Sequence, residues 1–160
     1  VETKQLVQER KSRHHQGVRV KGIDNIKIRF SKCCNPVPGD EIIGYITRGR
    51  GISVHRKDCP NIAAVESDRL VEVEWDFDKK VSYQAEIQIK ATDRSGLLAD
   101  ITQKITDSNL AVISLNARTS KDRVVFINLL LEIRDIEELR EVIKKIRKVK
   151  NVMDVYRVTA

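Results

Sequence analysis

Every cysteine and every proline of this chain falls between Cys33 and Pro60. Proline fixes φ and removes a backbone donor, so no long helix can run through this region and its strands must be short. Pro36-Val37-Pro38-Gly39-Asp40 predicts a turn, and Pro60 suits the first position of a short helix opened at Cys59. Around these breakers the apolar residues alternate. Val18 and Val20 read as one strand and Ile26, Ile28 and Phe30 as the next, with Lys27 and Arg29 turned to water. Strands resume at Ile42 to Ile46 and at Ile52 and Val54, separated by the glycine-rich turn Arg48-Gly49-Arg50-Gly51. Leu70, Val71 and Val73 predict one closing strand, and Trp75 to Lys80 a polar joint.

Past that joint the rhythm changes. Ala85, Ile87, Ile89 and Ala91 alternate as a strand, and Asp93-Arg94-Ser95-Gly96 turns into a helix whose Leu97, Leu98, Ile101 and Ile105 fall on one face. Ala111, Ile113, Leu115 and Ala117 alternate again. A turn at Ser120 to Asp122 leads back through Val125, Ile127, Leu129, Leu131 and Ile133. Asp135 and Glu138 have capping-box spacing ahead of a helix with an Ile136, Leu139, Ile143 and Ile146 stripe. Lys144, Lys145, Arg147 and Lys148 crowd its last turns, where the helix dipole favours cations. A final strand runs from about Val152 to Val158. The order β-α-β-β-α-β predicts a ferredoxin-like antiparallel sheet with two helices on one face.

The chain thus reads as α+β in two domains: a small, mostly-β one over 17–78 and a ferredoxin-like βαββαβ one over 79–160. Residues 1–16 are polar and read as a linker or the end of a preceding helix, with His14 and His15 as solvated neighbours. A start at Val-Glu-Thr-Lys reads as a piece of a longer protein. No apolar run approaches the ~20 residues that cross a bilayer, and no signal sequence opens the chain. Three cysteines, two of them adjacent, do not make a secreted disulfide framework, so a reducing cytoplasm is the expected compartment.

Of the net +7, residues up to Lys57 carry 13 Lys/Arg against 5 Asp/Glu, and the rest carry 17 against 18. The excess positive charge sits at one end, which points to a polyanion there. Lys32, Arg48, Arg50, Arg56 and Lys57 are the candidate RNA-binding residues. Few aromatics are available for base stacking, so contact with phosphates and with the shape of structured RNA is the expected mode.

Cys33, Cys34, His55 and Cys59 are the ligand types of a closed Cys₃His zinc site, which would staple a domain too small for a large core. Adjacent Cys33 and Cys34 can share an ion only if the backbone bends there, because neighbouring strand residues point to opposite faces. Two other readings stand beside the metal: buried packing cysteines, or a reactive Cys59 thiol at the short helix. In the second domain, Asp93, Arg94, Ser95, Gly96, Leu97 and Leu98 lead into a helix N-terminus that can receive a small ligand's carboxylate. The alternative reading is that Gly96 serves only the turn, with Asp93 or Ser95 as a cap. No nucleophile–base set and no phosphate loop is present, so this stretch is not expected to be catalytic by itself.

The motifs Val-Lys-Gly-Ile-Asp-Asn at 20–25, Cys-Cys-Asn-Pro-Val-Pro-Gly-Asp at 33–40, Gly-Tyr-Ile-Thr-Arg-Gly-Arg-Gly at 44–51 and Val-His-Arg-Lys-Asp-Cys-Pro-Asn at 54–61 resemble the zinc-finger-like or RIS domain of long RelA/SpoT homologues. Asp93-Arg94-Ser95-Gly96-Leu97-Leu98-Ala99-Asp100-Ile101 is similar to the start of the ACT domain that ends those enzymes. The resemblance implies the regulatory C-terminus of a bifunctional (p)ppGpp synthetase/hydrolase (GTP diphosphokinase) of the bacterial stringent response, whose catalytic domains lie upstream. In that family this region docks on the ribosome, contacting ribosomal RNA and the A-site tRNA, and signals to the catalytic half. The resemblance also implies zinc at Cys33, Cys34, His55 and Cys59, a homodimer through the ACT domain, and, as the alternative function, sensing of branched-chain amino acids.

Overall fold

A computed structural model describes residues 17–20, 26–49, 51–76 and 81–159. The expected linker at 1–16, Arg50 and most of the polar joint lie outside them. The chain divides into two compact units, the second being Ser82–Val158.

The first unit contains β1 (Val18–Val20), β2 (Ile28–Phe30), β3 (Ile42–Thr47), β4 (Gly51–Arg56), helix α1 (Pro60–Ala63), a 3₁₀ turn (Ser67–Arg69), β5 (Leu70–Val71) and β6 (Val73–Trp75). Its main sheet has the order β2-β4-β3-β5, with β2 parallel to β4 and the other pairs antiparallel. β1 and β6 form a separate antiparallel ribbon. The alternation of Ile28, Ile42, Ile52 and Val54 turns one face of the sheet inward to meet Val18, and Phe30, Ile46, Val71, Val73 and Trp75 pack around them. Phe30 and Trp75 stack with centroids 5.8 Å apart, and the indole N–H donates to the Asp40 carbonyl at 3.0 Å.

Leu70 to Val73 does not make one strand. Val71 pairs with Gly44 in the main sheet, whereas Val73 pairs with Val20 in the ribbon. The chain breaks at Glu72 because it crosses from one layer to the other over their shared core. Gly44 permits that close approach: a Cβ there would lie 2.9 Å from methyls of Ile52, Val71 and Val73.

The second unit has the expected order: β7 (Tyr83–Thr92), α2 (Leu97–Asp107), β8 (Ala111–Thr119), β9 (Val124–Ile133), α3 (Ile136–Arg147) and β10 (Val152–Arg157). Its sheet reads β10-β7-β9-β8, antiparallel throughout. Alternate residues of β7 (Tyr83 to Ala91) and β9 (Val125 to Ile133) are buried, on the face to which Leu97, Ile101 and Ile105 of α2 and Leu139, Val142 and Ile146 of α3 contribute their buried side chains. Leu98, expected on that helical face, is 42% exposed, and Val142 joins the buried stripe of α3. Asp135 caps the helix as expected, with Glu138 N–H donating to Asp135 Oδ1 at 2.9 Å, but the return bond of the capping box goes one residue further back: Glu138 Oε1 accepts from the Arg134 N–H at 3.2 Å.

β8 departs from its expected simple alternation. Its register shifts between Val112 and Ser114, so Val112, Leu115 and Ala117 oppose the inward-facing Leu131, Leu129 and Ile127. Ile113 is the extra residue of this β-bulge. All nine residues of the strand are exposed.

Candidate metal centre and basic surface

The bend required at Cys33 and Cys34 is present. Residues 32–34 form a turn, closed by Asn35 N–H donating to the Ser31 carbonyl at 2.9 Å, with Asn35 in the left-handed region at φ 44°. Wound in this way, adjacent side chains leave the backbone on the same side. Val37 N–H donates to Asp40 Oδ2 at 2.9 Å, which fixes the proline turn that follows. β4 delivers His55, and the short turn entering α1 delivers Cys59.

The four donor atoms lie within 4.8 Å of one another. Cys33 Sγ is 3.9 Å from Cys34 Sγ, 3.5 Å from Cys59 Sγ and 3.4 Å from His55 Nδ1, while Cys34 Sγ is 3.8 Å from Nδ1. A tetrahedral zinc site, from its usual bond lengths, has S–S edges of about 3.8 Å and S–N edges of about 3.5 Å. The residues fit the ion by type and by spacing. Packing alone does not call for three thiols and an imidazole nitrogen converging on one point.

Further groups hold these donors. Ser31 Oγ is 2.9 Å from Cys33 Sγ, and Arg56 N–H donates to Cys34 Sγ at 3.4 Å. Ser53 Oγ lies 3.1 Å from His55 Nε2; with the Nε2 proton donated to that hydroxyl, the Nδ1 lone pair is left facing the thiols. Burial lowers the His55 pKa and so favours the neutral ring a metal needs. Burial pushes the Cys34 thiol up to about 12, only partly offset by the Arg56 N–H and reinforced by the Cys33 and Cys59 sulfurs. Burial also opposes ionisation of Cys33, but hydrogen bonds led by those from Ser31 and Asn61 bring its pKa down. Ser31 and Ser53 were not among the expected site residues. Ser53 precedes His55 by two residues in β4, and this period-2 spacing places it on the ligand's face, whereas Ser31 reaches Cys33 through the turn at 32–34.

The basic residues separate. Lys32, Arg48 and Lys57 are exposed. Arg56 pairs with Asp58 at 2.6 Å and its side chain is only 12% exposed; it lies opposite Ile42, on the inward face of the sheet. Arg50 falls outside the described residues.

In the second unit, Asp93, Arg94, Gly96, Leu98, Ala117 and Thr119 help line a cavity of about 410 Å³ at the start of α2. Gly96 is the N-cap, at φ 77°, and no side chain caps the helix. Arg94 is already occupied: it donates to the carbonyls of Lys150 (3.1 Å) and Ser95 (3.0 Å) and pairs with Asp100 at 2.7 Å. It ties the turn to the α3–β10 connection. Ser95 is exposed and Leu97 buried.

The fold and the donor cluster define a small, mostly-β domain carrying a thiol and histidine cluster, followed by a ferredoxin-like domain. Comparison with known families gives the same division. A model of the RelA/SpoT RIS domain matches residues 18–76, and one of the ACT domain matches 79–157. The chain belongs to the RelA/SpoT family and corresponds to its C-terminal region. It is 41% identical over 153 residues to a GTP pyrophosphokinase of Streptomyces coelicolor, covering 94% of this chain and 18% of that protein. It is 39% identical over 146 residues to the bifunctional (p)ppGpp synthase/hydrolase RelA of Mycobacterium tuberculosis, covering 90% of this chain and 20% of that protein. The chain therefore spans about a fifth of these relatives' length. A crystal structure of the ACT domain from the GTP pyrophosphokinase of Chlorobium tepidum is 26% identical, with a TM-score of 0.45 over 49% of this chain and 100% of that one. No described helix is long and apolar enough to cross a membrane.

Proposed function

We propose that this chain is the regulatory module of a (p)ppGpp synthetase/hydrolase, docking on ribosomal RNA near the A-site tRNA and relaying that contact to catalytic domains elsewhere in the parent protein. The supporting observation is the surface of the first unit: Lys32 and Lys57 are exposed on the turns beside Cys33 and Cys59, and Arg48 is exposed on the turn at the other end of the β3–β4 hairpin. Cys33, Cys34, His55 and Cys59 hold a structural zinc in this reading. The ion supplies no chemistry beyond fixing the turns that carry Lys32 and Lys57. Sedimentation with ribosomes at increasing salt tests the docking. Binding should weaken steeply with salt and be lost in Arg48→Glu combined with Arg50→Glu; full binding by that double variant would refute it.

A second reading, amino-acid sensing by an ACT homodimer, draws on the cavity at the start of α2 and on β8, a sheet edge exposed at every residue. With Arg94 engaged, a ligand carboxylate would meet the free N–H groups of the first helical turn. A second copy adding its own β8 would satisfy the open edge. Titration with valine or isoleucine should release or absorb heat, and a flat titration of folded protein would count against sensing. Ile113→Lys should shift a dimer to monomer in sedimentation.

A further inference from the structure

The main sheet of the first unit has a second face, turned away from the core, which composition does not reveal. Ser53 of β4 stands opposite Arg29 of β2 on one side and Tyr45 of β3 on the other, and Tyr45 stands opposite Leu70 of β5. The row runs Arg29, Ser53, Tyr45, Leu70, with Arg29 and Tyr45 two strand spacings or roughly 10 Å apart. From the 3₁₀ turn, Arg69 lays its guanidinium over the Tyr45 ring, 5.1 Å from the centroid. β2 to β5 contain no aspartate or glutamate. Phe30 and Trp75 are stacked on the inward side, so among the described aromatics of this unit Tyr45 alone lies on the outer face.

A face with cations, no strand carboxylate and one half-buried ring carrying a guanidinium matches a polyanion that also has flat rings of its own. We propose that this face binds unpaired RNA, one base stacking on the Tyr45–Arg69 pair while Arg29 and Arg48 take flanking phosphates. The inference rests on the RNA-docking reading and adds a stacking step to it. The Arg69–Tyr45 contact already places the guanidinium over the ring before RNA arrives, so less side-chain freedom is lost on binding. Bases inside a duplex are stacked on each other and cannot reach a ring lying in a sheet, whereas splayed bases of a loop or bulge can. Duplex is left with the phosphate contacts alone.

Fluorescence anisotropy of the 160-residue chain with a labelled single-stranded RNA of about a dozen nucleotides, and with a duplex of equal length, tests this. Tyr45→Leu and Arg69→Gln should each weaken single-strand binding roughly 5- to 100-fold and leave duplex binding within about twofold. Tyr45→Phe should retain wild-type affinity, and Arg48→Glu should weaken both RNAs. Arg69→Gln lies outside the sheet core and gives the answer if Tyr45→Leu melts early. If both stacking variants bind single strands like wild type while Arg48→Glu does not, the stacking site is overturned and docking stands. If the folded wild-type chain binds neither RNA, docking falls and the stacking site falls with it.

Discussion

Ser53 Oγ lies 3.1 Å from Nε2 of His55, on the opposite side of the ring from the sulfurs, and so holds the imidazole with Nδ1 toward Cys33. Groups in this position typically govern metal affinity by about 10- to 100-fold. Ser53→Ala should weaken zinc binding by roughly tenfold in competition with a chromophoric chelator, without unfolding the chain. Cys59→Ala, which removes a donor, should abolish tight binding. Equal zinc affinity in Ser53→Ala and wild type would remove Ser53 from the centre.

Metal changes the pH response in a defined direction. To ligate zinc, Cys34 must lose a proton that the metal-free cluster holds up to about 12. Loading therefore releases protons, and affinity falls as pH falls. Calorimetry in buffers of different ionisation heat should register that release. In the metal-free chain the Cys34 contribution has the opposite slope. The folded thiol keeps its proton while an unfolded one ionises near 9.0, so its stabilisation is complete below 9.0 and is lost as pH rises toward 12. Urea melts with and without chelator should show an acid-labile loaded form and an alkali-labile stripped form. Parallel pH profiles would contradict a metal at this site.

Gly51 and Gly49 both have positive φ, at 81° and 76°, but only one is crowded. A Cβ at Gly51 would sit 2.2 Å from the Lys27 carbonyl oxygen, whereas at Gly49 nothing lies within 4 Å. Gly49→Ala should cost about 1 kcal/mol of conformational strain. Gly51→Ala must also displace Lys27, whose carbonyl accepts from the Ile52 N–H at 2.9 Å beside the β2–β4 pairing, and should cost upward of about 3 kcal/mol. Denaturant midpoints of the two variants check the order.

Asp135 accepts from the Glu138 N–H at 2.9 Å. Asp135→Ala should lower stability by about 1 kcal/mol, and Asp135→Asn by much less, because asparagine caps nearly as well. Thermal melts of the pair separate a cap from a charge effect.

The second unit was legible because its two periods are clean: residues two apart in β7 and β9, and three or four apart in the helices, are the buried ones. What alternation could not supply was the extra residue Ile113 in β8, since the same letters fit a straight strand as well as a bulged one. Leu98 illustrates a related limit. It borders the apolar stripe of α2 in sequence, yet the helix turns it 42% to solvent. In the first unit the four metal-type residues were legible by kind, but their convergence depends on the turn at 32–34, closed by the Asn35 N–H on the Ser31 carbonyl at 2.9 Å, which residue type alone does not encode. Arg56 looked like its basic neighbours, and only register placed it on the inward face opposite Ile42. The excess charge of the first third has the same limit, because it does not distinguish an exposed cation from one already paired with Asp58.

In the second sheet, β7 and β8 are not neighbours; each meets β9, which is made after both. As the chain is synthesised, two strands with strong β-forming sequences therefore wait without a sheet partner until Val124–Ile133 arrives between them. Sheet formation becomes a late step that depends on contacts distant in sequence, the circumstance in which folding slows and unpaired strands are open to misassociation. Substitutions in β9 should accordingly alter the yield of folded chain during synthesis out of proportion to their effect on the finished molecule.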